Sequence, residues 1–157
     1  MEAHEHRYGG FALGAMELAL PMSALREVVP LSQLSPLPCR ADGVVGGIDL
    51  RGVVIPVLDL NVLLGKVAAE AAYPCVIIMV HRERLLGLLA DGITGIFTIE
   101  PDRLHDITLA GDALPLFCGS VRRLDTDALV SVLSPDALTS VPGVPMVADP
   151  EPGRQHV

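Results

Sequence analysis

Hydrophobic residues fall along the chain in short runs, separated by turns that contain glycine, proline or aspartate. The run from Phe11 to Leu20 is interrupted at Gly14, and valine-rich runs lie on both sides of Arg51-Gly52. Short β-branched runs that meet at a glycine-containing turn are typical of β-hairpins. We therefore predict a hairpin at each place.

The same pattern returns in the second half of the chain. It predicts a buried strand at 75–80, a hairpin partner at 85–90 and another strand at 93–99. A last hairpin is predicted from 121–124 and 129–133. Many short strands with regular turns favour small barrels over a parallel sheet. We therefore predict an all-β fold in which two small five-stranded SH3-like barrel subdomains pack together, with short helices.

Capping residues predict where two of these helices begin. Asp59 precedes a segment with helical spacing that Gly65 would end, and Ser134-Pro135 has the N-cap serine and first-position proline of a helix. A third short helix is predicted near Met22, although the spacing there is barely two turns long.

The same signals predict how the chain is organised. Residues 1–7 are predicted to be a flexible leader, and residues 8–140 one domain. Within it we predict subdomains at roughly 20–84 and 85–133, followed by a helix at 134–140. Residues 141–157, which begin with prolines and end in polar residues, are predicted to be a disordered tail.

Composition narrows the class of protein. The chain has 157 residues, is 50% hydrophobic but only 3% aromatic, and carries a formal net charge of -8. The core must therefore be aliphatic, and the negative charge argues against nucleic-acid binding. The few basic clusters, at 82–84 and Arg122-Arg123, are predicted to be solvated turn residues.

Cysteine usage and hydropathy predict a cytoplasmic protein. Cys39, Cys75 and Cys118 are odd in number and form no CxxC motif, which fits free thiols in a reducing compartment. We see neither a signal peptide nor an apolar run long enough to span a membrane. Any association with a membrane would therefore come through a partner, without direct membrane contact.

The chain offers no recognisable catalytic or metal-binding motif. Asp49, Asp59 and Asp91 could be read as a set of catalytic carboxylates, but turn and N-cap roles explain all three more simply. We therefore predict no enzymatic activity, no cofactor and no metal.

Several stretches of the sequence together resemble the CheW-like domain family. They are FALG at 11–14, ALP at 19–21, REV at 26–28, PLP at 36–38, GGIDLRGVVIPVLDL at 46–60, GLLADGI at 87–93 and GSVRRLDTDALVSVL at 119–133. The resemblance covers about residues 8–140 in collinear order. Asp49 stands where the family usually has asparagine.

The resemblance implies an adaptor that binds two proteins. These are the cytoplasmic tip of methyl-accepting chemoreceptors and the CheW-like regulatory domain of the histidine kinase CheA. The adaptor would be recruited through them to membrane receptor arrays. An alternative is a divergent regulatory or ligand-binding module that kept the fold without receptor coupling.

The resemblance also indicates which residues would bind partners. Arg51 is the first candidate and Glu27 its ion-pair mate, although each could be an ordinary solvated residue. Gly46 could let a receptor helix approach the backbone, or could simply provide a turn or bulge. An apolar groove is predicted from residues that could equally be core: Leu25, Val45 and Ile55.

Overall fold

The computed structural model describes residues 6–39, 41–65, 75–105 and 116–152. Within these residues the chain forms eleven β-strands and two short α-helices. The α-helices are α1 (Leu60–Leu63) and α2 (Pro135–Thr139). The strands are β1 (Arg7–Leu13), β2 (Met16–Pro21), β3 (Leu25–Pro30), β4 (Leu34–Ser35), β5 (Val44–Leu50), β6 (Val53–Leu58), β7 (Cys75–His81), β8 (Arg84–Ala90), β9 (Gly92–Thr98), β10 (Phe117–Arg122) and β11 (Leu129–Leu133).

The strands form two curled sheets, which confirms the predicted all-β class. Sheet I has the order β10-β11-β2-β1-β9, and sheet II has the order β3-β7-β8-β6-β5-β4. Sheet I has the predicted five strands. Sheet II has six, because the two-residue strand β4 pairs with β5, and so short a strand leaves almost no pattern in the sequence.

Sheet II is built from one continuous stretch of chain, whereas sheet I combines strands from both ends of the domain. The structure thus differs from the predicted boundaries at 20–84 and 85–133. Strand β8 completes sheet II at Ala90, and the β1–β2 hairpin joins the later strands. The hairpin belongs there because β9 and β11 pair with its two edges, which satisfies backbone groups on both sides.

Aliphatic side chains fill the interior, as the composition predicts. The larger buried cluster joins the two sheets, with Phe11 and Leu18 contributed by sheet I and Ile48 and Ile77 by sheet II. A smaller cluster around Val130 lies within sheet I. Burial of each such side chain contributes about 1.5–3 kcal/mol, so the shared cluster is what packs the sheets together.

Local signals predicted the hairpins and helix starts well. All the predicted hairpins form. The Asp59 carboxylate accepts a 2.9 Å hydrogen bond from the Asn61 amide, and the Ser134 hydroxyl accepts one of 3.2 Å from the Ala137 amide. The segment near Met22 differs: a single 3-10 turn is followed at once by β3, because pairing with β7 outweighs the weak helical spacing.

The chain beyond α2 does not follow the predicted disorder over residues 141–152. Val141 and Asp149 are buried. The Leu85 amide donates to the Val147 carbonyl at 2.9 Å, and the Asp149 amide donates to the Glu83 carbonyl at 2.6 Å. Main-chain hydrogen bonds and a buried carboxylate hold this segment, which explains why its sequence lacks apolar spacing. Residues 153–157 lie outside the described residues.

The N-terminal leader predicted at 1–7 falls mostly outside the described residues. Arg7 is already the first residue of β1. Across the described ranges, no helix has the length and apolar character needed to cross a membrane.

Candidate functional site

A tight turn between β5 and β6 presents Arg51 to solvent. Arg51 and Gly52 have φ angles of +51° and +87°, as in a type I′ hairpin turn. The Asp49 carboxylate closes the turn by accepting a 2.9 Å hydrogen bond from the Gly52 amide. An asparagine oxygen would accept this bond equally well, so Asp49 fits the turn without a catalytic role.

The Arg51 side chain contacts Glu27 on β3. One guanidinium nitrogen lies 2.8 Å from a Glu27 carboxylate oxygen, with 47% of the Arg51 side chain and 22% of the Glu27 side chain exposed. This hydrogen bond is the main reason that the pKa of Arg51 is raised. Because β3 and β5 lie near opposite ends of sheet II, the pair joins strands that are distant in the sheet order.

Two β-bulges determine which side chains face outward near this pair. In β3 the register shifts between Leu25 and Glu27, so Arg26 is the extra residue. In β5 it shifts between Val44 and Gly46, so Val45 is the extra residue. A bulge redirects the side chain it carries. Arg26 is consequently buried although its neighbour Glu27 reaches solvent, and Val45 is 40% exposed.

Gly46 serves close packing within the domain. A Cβ atom at this position would lie 2.5 Å from the Ser35 carbonyl oxygen and 3.0 Å from the Leu34 side chain. Both residues belong to β4, so Gly46 lets that short strand approach β5. This close approach of the chain's own β4 is a third role, beside the receptor-helix contact, which stays a prediction, and the turn or bulge role that the sequence suggested.

The three residues predicted to line a groove do not share one environment. Ile55 is fully buried and Leu25 nearly so, and both belong to the large core cluster. Val45 alone of the three is exposed. Leu25 and Ile55 are therefore core residues, and only Val45 is available at the surface.

An open cleft of about 530 Å³ lies beside the Arg51 hairpin. Gly47 and Asp49 of β5 form one part of its lining together with Val54 of β6, and five residues between Ser32 and Leu37 form the rest. Val54 is half exposed. The surface next to Arg51 thus combines an ion pair with apolar contact area.

The acidic residues considered for catalysis bind backbone amides instead. Asp49 closes a turn and Asp59 caps α1, as described above. The Asp91 carboxylate accepts a 2.6 Å hydrogen bond from the Gly14 amide in the β1–β2 turn. The predicted turn and N-cap roles are therefore confirmed for Asp49 and Asp59, whereas Asp91 holds the distant β1–β2 turn and not a turn of its own. Among the described residues, no group of three or more His, Cys, Asp or Glu is placed to hold a metal ion.

Sequence reasoning missed two buried arginines. Arg26 forms a two-pronged ion pair with Asp149, one arm measuring 3.1 Å. Arg123, predicted to be a solvated turn residue, is instead buried between Glu17 and Asp125 at 2.7 and 2.6 Å. Its guanidinium also lies 4.4 Å from the centre of the Phe97 ring. The prediction for Arg123 is therefore wrong, whereas Arg122 is exposed as expected.

The sequence model described as "CheW-like domain" matches residues 7–143, which is most of the chain. This chain belongs to the CheW-like domain family. The CheW-like architecture also appears in a solved structure, the scaffolding protein TtCheW from Thermoanaerobacter tengcongensis. That structure aligns with a TM-score of 0.75 and 21% identity, over 88% of this chain and 95% of that one. At this identity the alignment shows the shared fold.

Curated relatives align at higher identity over shorter stretches. "Chemotaxis protein CheW" of Rhizobium meliloti strain 1021 is 36% identical over 90 residues, or 57% of this chain and 58% of that protein. "Protein FrzA" of Myxococcus xanthus is 30% identical over 110 residues and 69% of each chain. The aligned part thus spans less than two thirds of the Rhizobium CheW protein and slightly more than two thirds of FrzA.

Proposed function

We propose that this chain is a non-catalytic adaptor that couples methyl-accepting chemoreceptors to the histidine kinase CheA. Its partners would be the cytoplasmic tip of the receptor and the CheW-like regulatory domain of the kinase. The adaptor would act in the cytoplasm and join receptor arrays only through these partners. Family membership supports this role, as do relatives that carry the names of chemotaxis proteins.

The observation that carries the proposal is the exposed ion pair between Arg51 and Glu27. A left-handed backbone conformation suits asparagine and glycine better than arginine, so local turn energetics do not explain Arg51. An exposed ion pair contributes only about 0–1 kcal/mol to stability. Arginine is, however, enriched among the residues that dominate binding energy at protein interfaces.

The surface around the pair suits a helical partner. The exposed Val54 and the cleft that it lines offer apolar contact, and Arg51 offers a charge in the turn that joins β5 to β6. An amphipathic helix binds such a surface through its apolar face, with charged groups fixing its orientation. We therefore assign the partner surface to Arg51, Glu27 and the neighbouring Val54, with Val45 as a further exposed contact.

A matched pair of variants tests the proposal. Arg51→Asn removes the guanidinium and keeps a residue that tolerates the left-handed turn. Arg82→Asn is the control, because Arg82 has a similar φ of +50° in the β7–β8 turn. Binding to a purified receptor tip and to the CheA regulatory domain would be measured beside thermal melting. We expect both variants to fold normally and only Arg51→Asn to weaken binding, by about 10-fold or more.

The outcomes separate the proposal from its alternative. Equal binding by both variants would reject the role of Arg51. If the parent chain binds neither partner, the adaptor function is rejected, and a regulatory or ligand-binding module with the same fold is favoured.

A further inference from the structure

Residues 147–152, which we call the C-terminal strap, lie against sheet II and pair with it over a short stretch of main chain. The two main-chain hydrogen bonds at Leu85 and Glu83 together form a single-residue antiparallel bridge between Arg84 and Ala148. Asp149 is buried, whereas Ala148 and Pro150 on either side of it are exposed. The anchoring is therefore concentrated at one side chain.

That anchor is the ion pair between Arg26 and Asp149. Side-chain exposure is 4% for Arg26 and 1% for Asp149, although the residues are 123 positions apart in the chain. The bulge in β3 turns Arg26 towards this site, because in a regular strand Leu25 and Arg26 would face opposite sides. The bulge thus places the guanidinium of a buried arginine where it binds a single carboxylate, that of Asp149.

The ion pair leaves one buried polar atom of Arg26 without a hydrogen bond among the described residues. This atom is the Nε nitrogen. A buried donor without a partner is costly, and release of the strap would open Arg26 to water. An open cleft of about 390 Å³, lined by Arg26, Ser23, Asp149 and Pro152, already borders the pair. These features favour a segment that can dissociate without unfolding the sheet.

The strap lies next to the proposed partner surface. Arg26, which holds Asp149, is adjacent in the chain to Glu27, which holds Arg51. Glu151 follows Asp149 by two residues, and its charge helps to raise the pKa of Arg51, after the larger effect of Glu27. A docked strap therefore adds a negative charge near the arginine that a partner would contact.

We propose that the C-terminal strap docks reversibly on Arg26 through Asp149 and, while docked, restricts access of an acidic partner group to Arg51. The inference rests on the proposed function, because the surface it controls is the Arg51–Glu27 surface. When the strap is docked, Glu151 competes electrostatically with the partner. When the strap is released, Glu151 moves away with it, and Arg51 keeps its ion pair with Glu27.

Docking is tested first, without any partner. The chain would be ended after Pro145, which removes the strap, or after Pro152, which keeps it. Amide hydrogen exchange at Leu85 reports docking, because this amide donates to Val147. We expect Leu85 to lose protection only in the shorter chain. A peptide of residues 144–152, VPMVADPEP, should restore protection when added, and the same peptide with Asp149→Asn should not.

Partner access is tested next with the receptor tip and the CheA regulatory domain. The chain ended after Pro145 should bind at least one of them several-fold more tightly than the chain ended after Pro152. Glu151→Gln in the full chain removes the competing charge and keeps the anchor, so it should tighten binding by roughly 2- to 5-fold. This variant also keeps the test decisive if the shorter chain fails to fold.

Each result decides a separate point. Unchanged Leu85 exchange after removal of the strap would overturn the docking claim. Lost protection together with equal partner binding by all variants would reduce the strap to a packing element and overturn its control of access. If no chain binds either partner, the proposed function and the control of access both fail, while exchange and the added peptide still decide whether the strap docks.

Discussion

Arg122 and Arg123 are adjacent in the chain but lie in opposite environments. Arg122 is exposed at the end of β10 and its nearest carboxylate, Asp127, is 3.8 Å away. Arg123 is buried, donates to Glu17 and Asp125 and stacks on Phe97. Since Glu17 belongs to β2 and Phe97 to the edge strand β9, Arg123 connects separate parts of sheet I.

This contrast predicts unequal effects of alanine substitution. Arg123→Ala leaves the largely buried Glu17 without its cation and should lower the free energy of unfolding by about 3 kcal/mol, or roughly 6–12 °C in Tm. Arg122→Ala is the control and should change it by less than about 0.5 kcal/mol. Thermal and urea unfolding would measure both. Similar losses for the two variants would contradict the buried network.

The Arg26–Asp149 pair predicts a pH-dependent contribution to stability. The hydrogen bond from Arg26 lowers the pKa of Asp149 below its ordinary value of 3.8. A lowered carboxyl pKa stabilises the fold above the ordinary value, and this contribution disappears as the pH falls through the lowered pKa.

Asp149→Asn should therefore lower the free energy of unfolding near pH 6 by about 2 kcal/mol. The loss is not larger because release of the strap would expose the unpaired Arg26 to water. The difference between the parent and the variant should shrink as the pH falls below about 4. Urea unfolding at a series of pH values measures it. A difference that stays constant down to pH 2 would show that the carboxylate charge is not involved.

Gly46 and Gly47 offer an adjacent pair for testing close packing in sheet II. An alanine methyl at 46 would meet the Ser35 carbonyl oxygen at 2.5 Å, and the backbone of β4 would have to move. At 47 the nearest atom is a Val54 methyl at 3.0 Å, on a half-exposed side chain that can shift. We expect Gly46→Ala to cost about 1–3 kcal/mol and Gly47→Ala clearly less. Equal losses would mean that β4 adapts freely.

A charge exchange tests whether Arg51 and Glu27 act as one unit in partner binding. Arg51→Glu places two acidic groups together and should weaken binding to the CheA regulatory domain by about 10-fold or more, with little change in Tm because the pair is exposed to solvent. Glu27→Arg in the same chain should restore part of the affinity. A double-mutant cycle from calorimetric titrations gives the coupling energy. A coupling near zero would show that the residues contribute independently.

The features that sequence predicted correctly depend on neighbouring residues. The turn at Arg51-Gly52 and the helix starts at Asp59 and Ser134 are each specified within about four residues. Such signals are readable because backbone conformation and capping are local. The same reasoning explained why Asp49 and Asp59 bind backbone amides close to them in the chain.

The features that sequence missed depend on distant contacts. Arg26 finds Asp149 only because a single bulge in β3 changes the direction of its side chain, and the two residues are 123 positions apart. Arg123 meets Glu17 over a separation of 106. An arginine in a charged stretch looks solvated until the fold brings another strand over it, so its burial has no local signature.

The order of strands along the chain has a consequence for folding during synthesis. The β1–β2 hairpin is synthesised before the other strands described here, yet its edge partners β9 and β11 follow only after all of sheet II. At about 5–20 residues per second, the roughly 70 residues between β2 and β9 take several seconds, and the roughly 110 residues before β11 take longer. Throughout the first interval both edges of the hairpin lack their final partners, and sheet II is completed only at its end. The nascent hairpin is therefore the stage at which a chaperone or a neighbouring chain has most opportunity to intercept this protein.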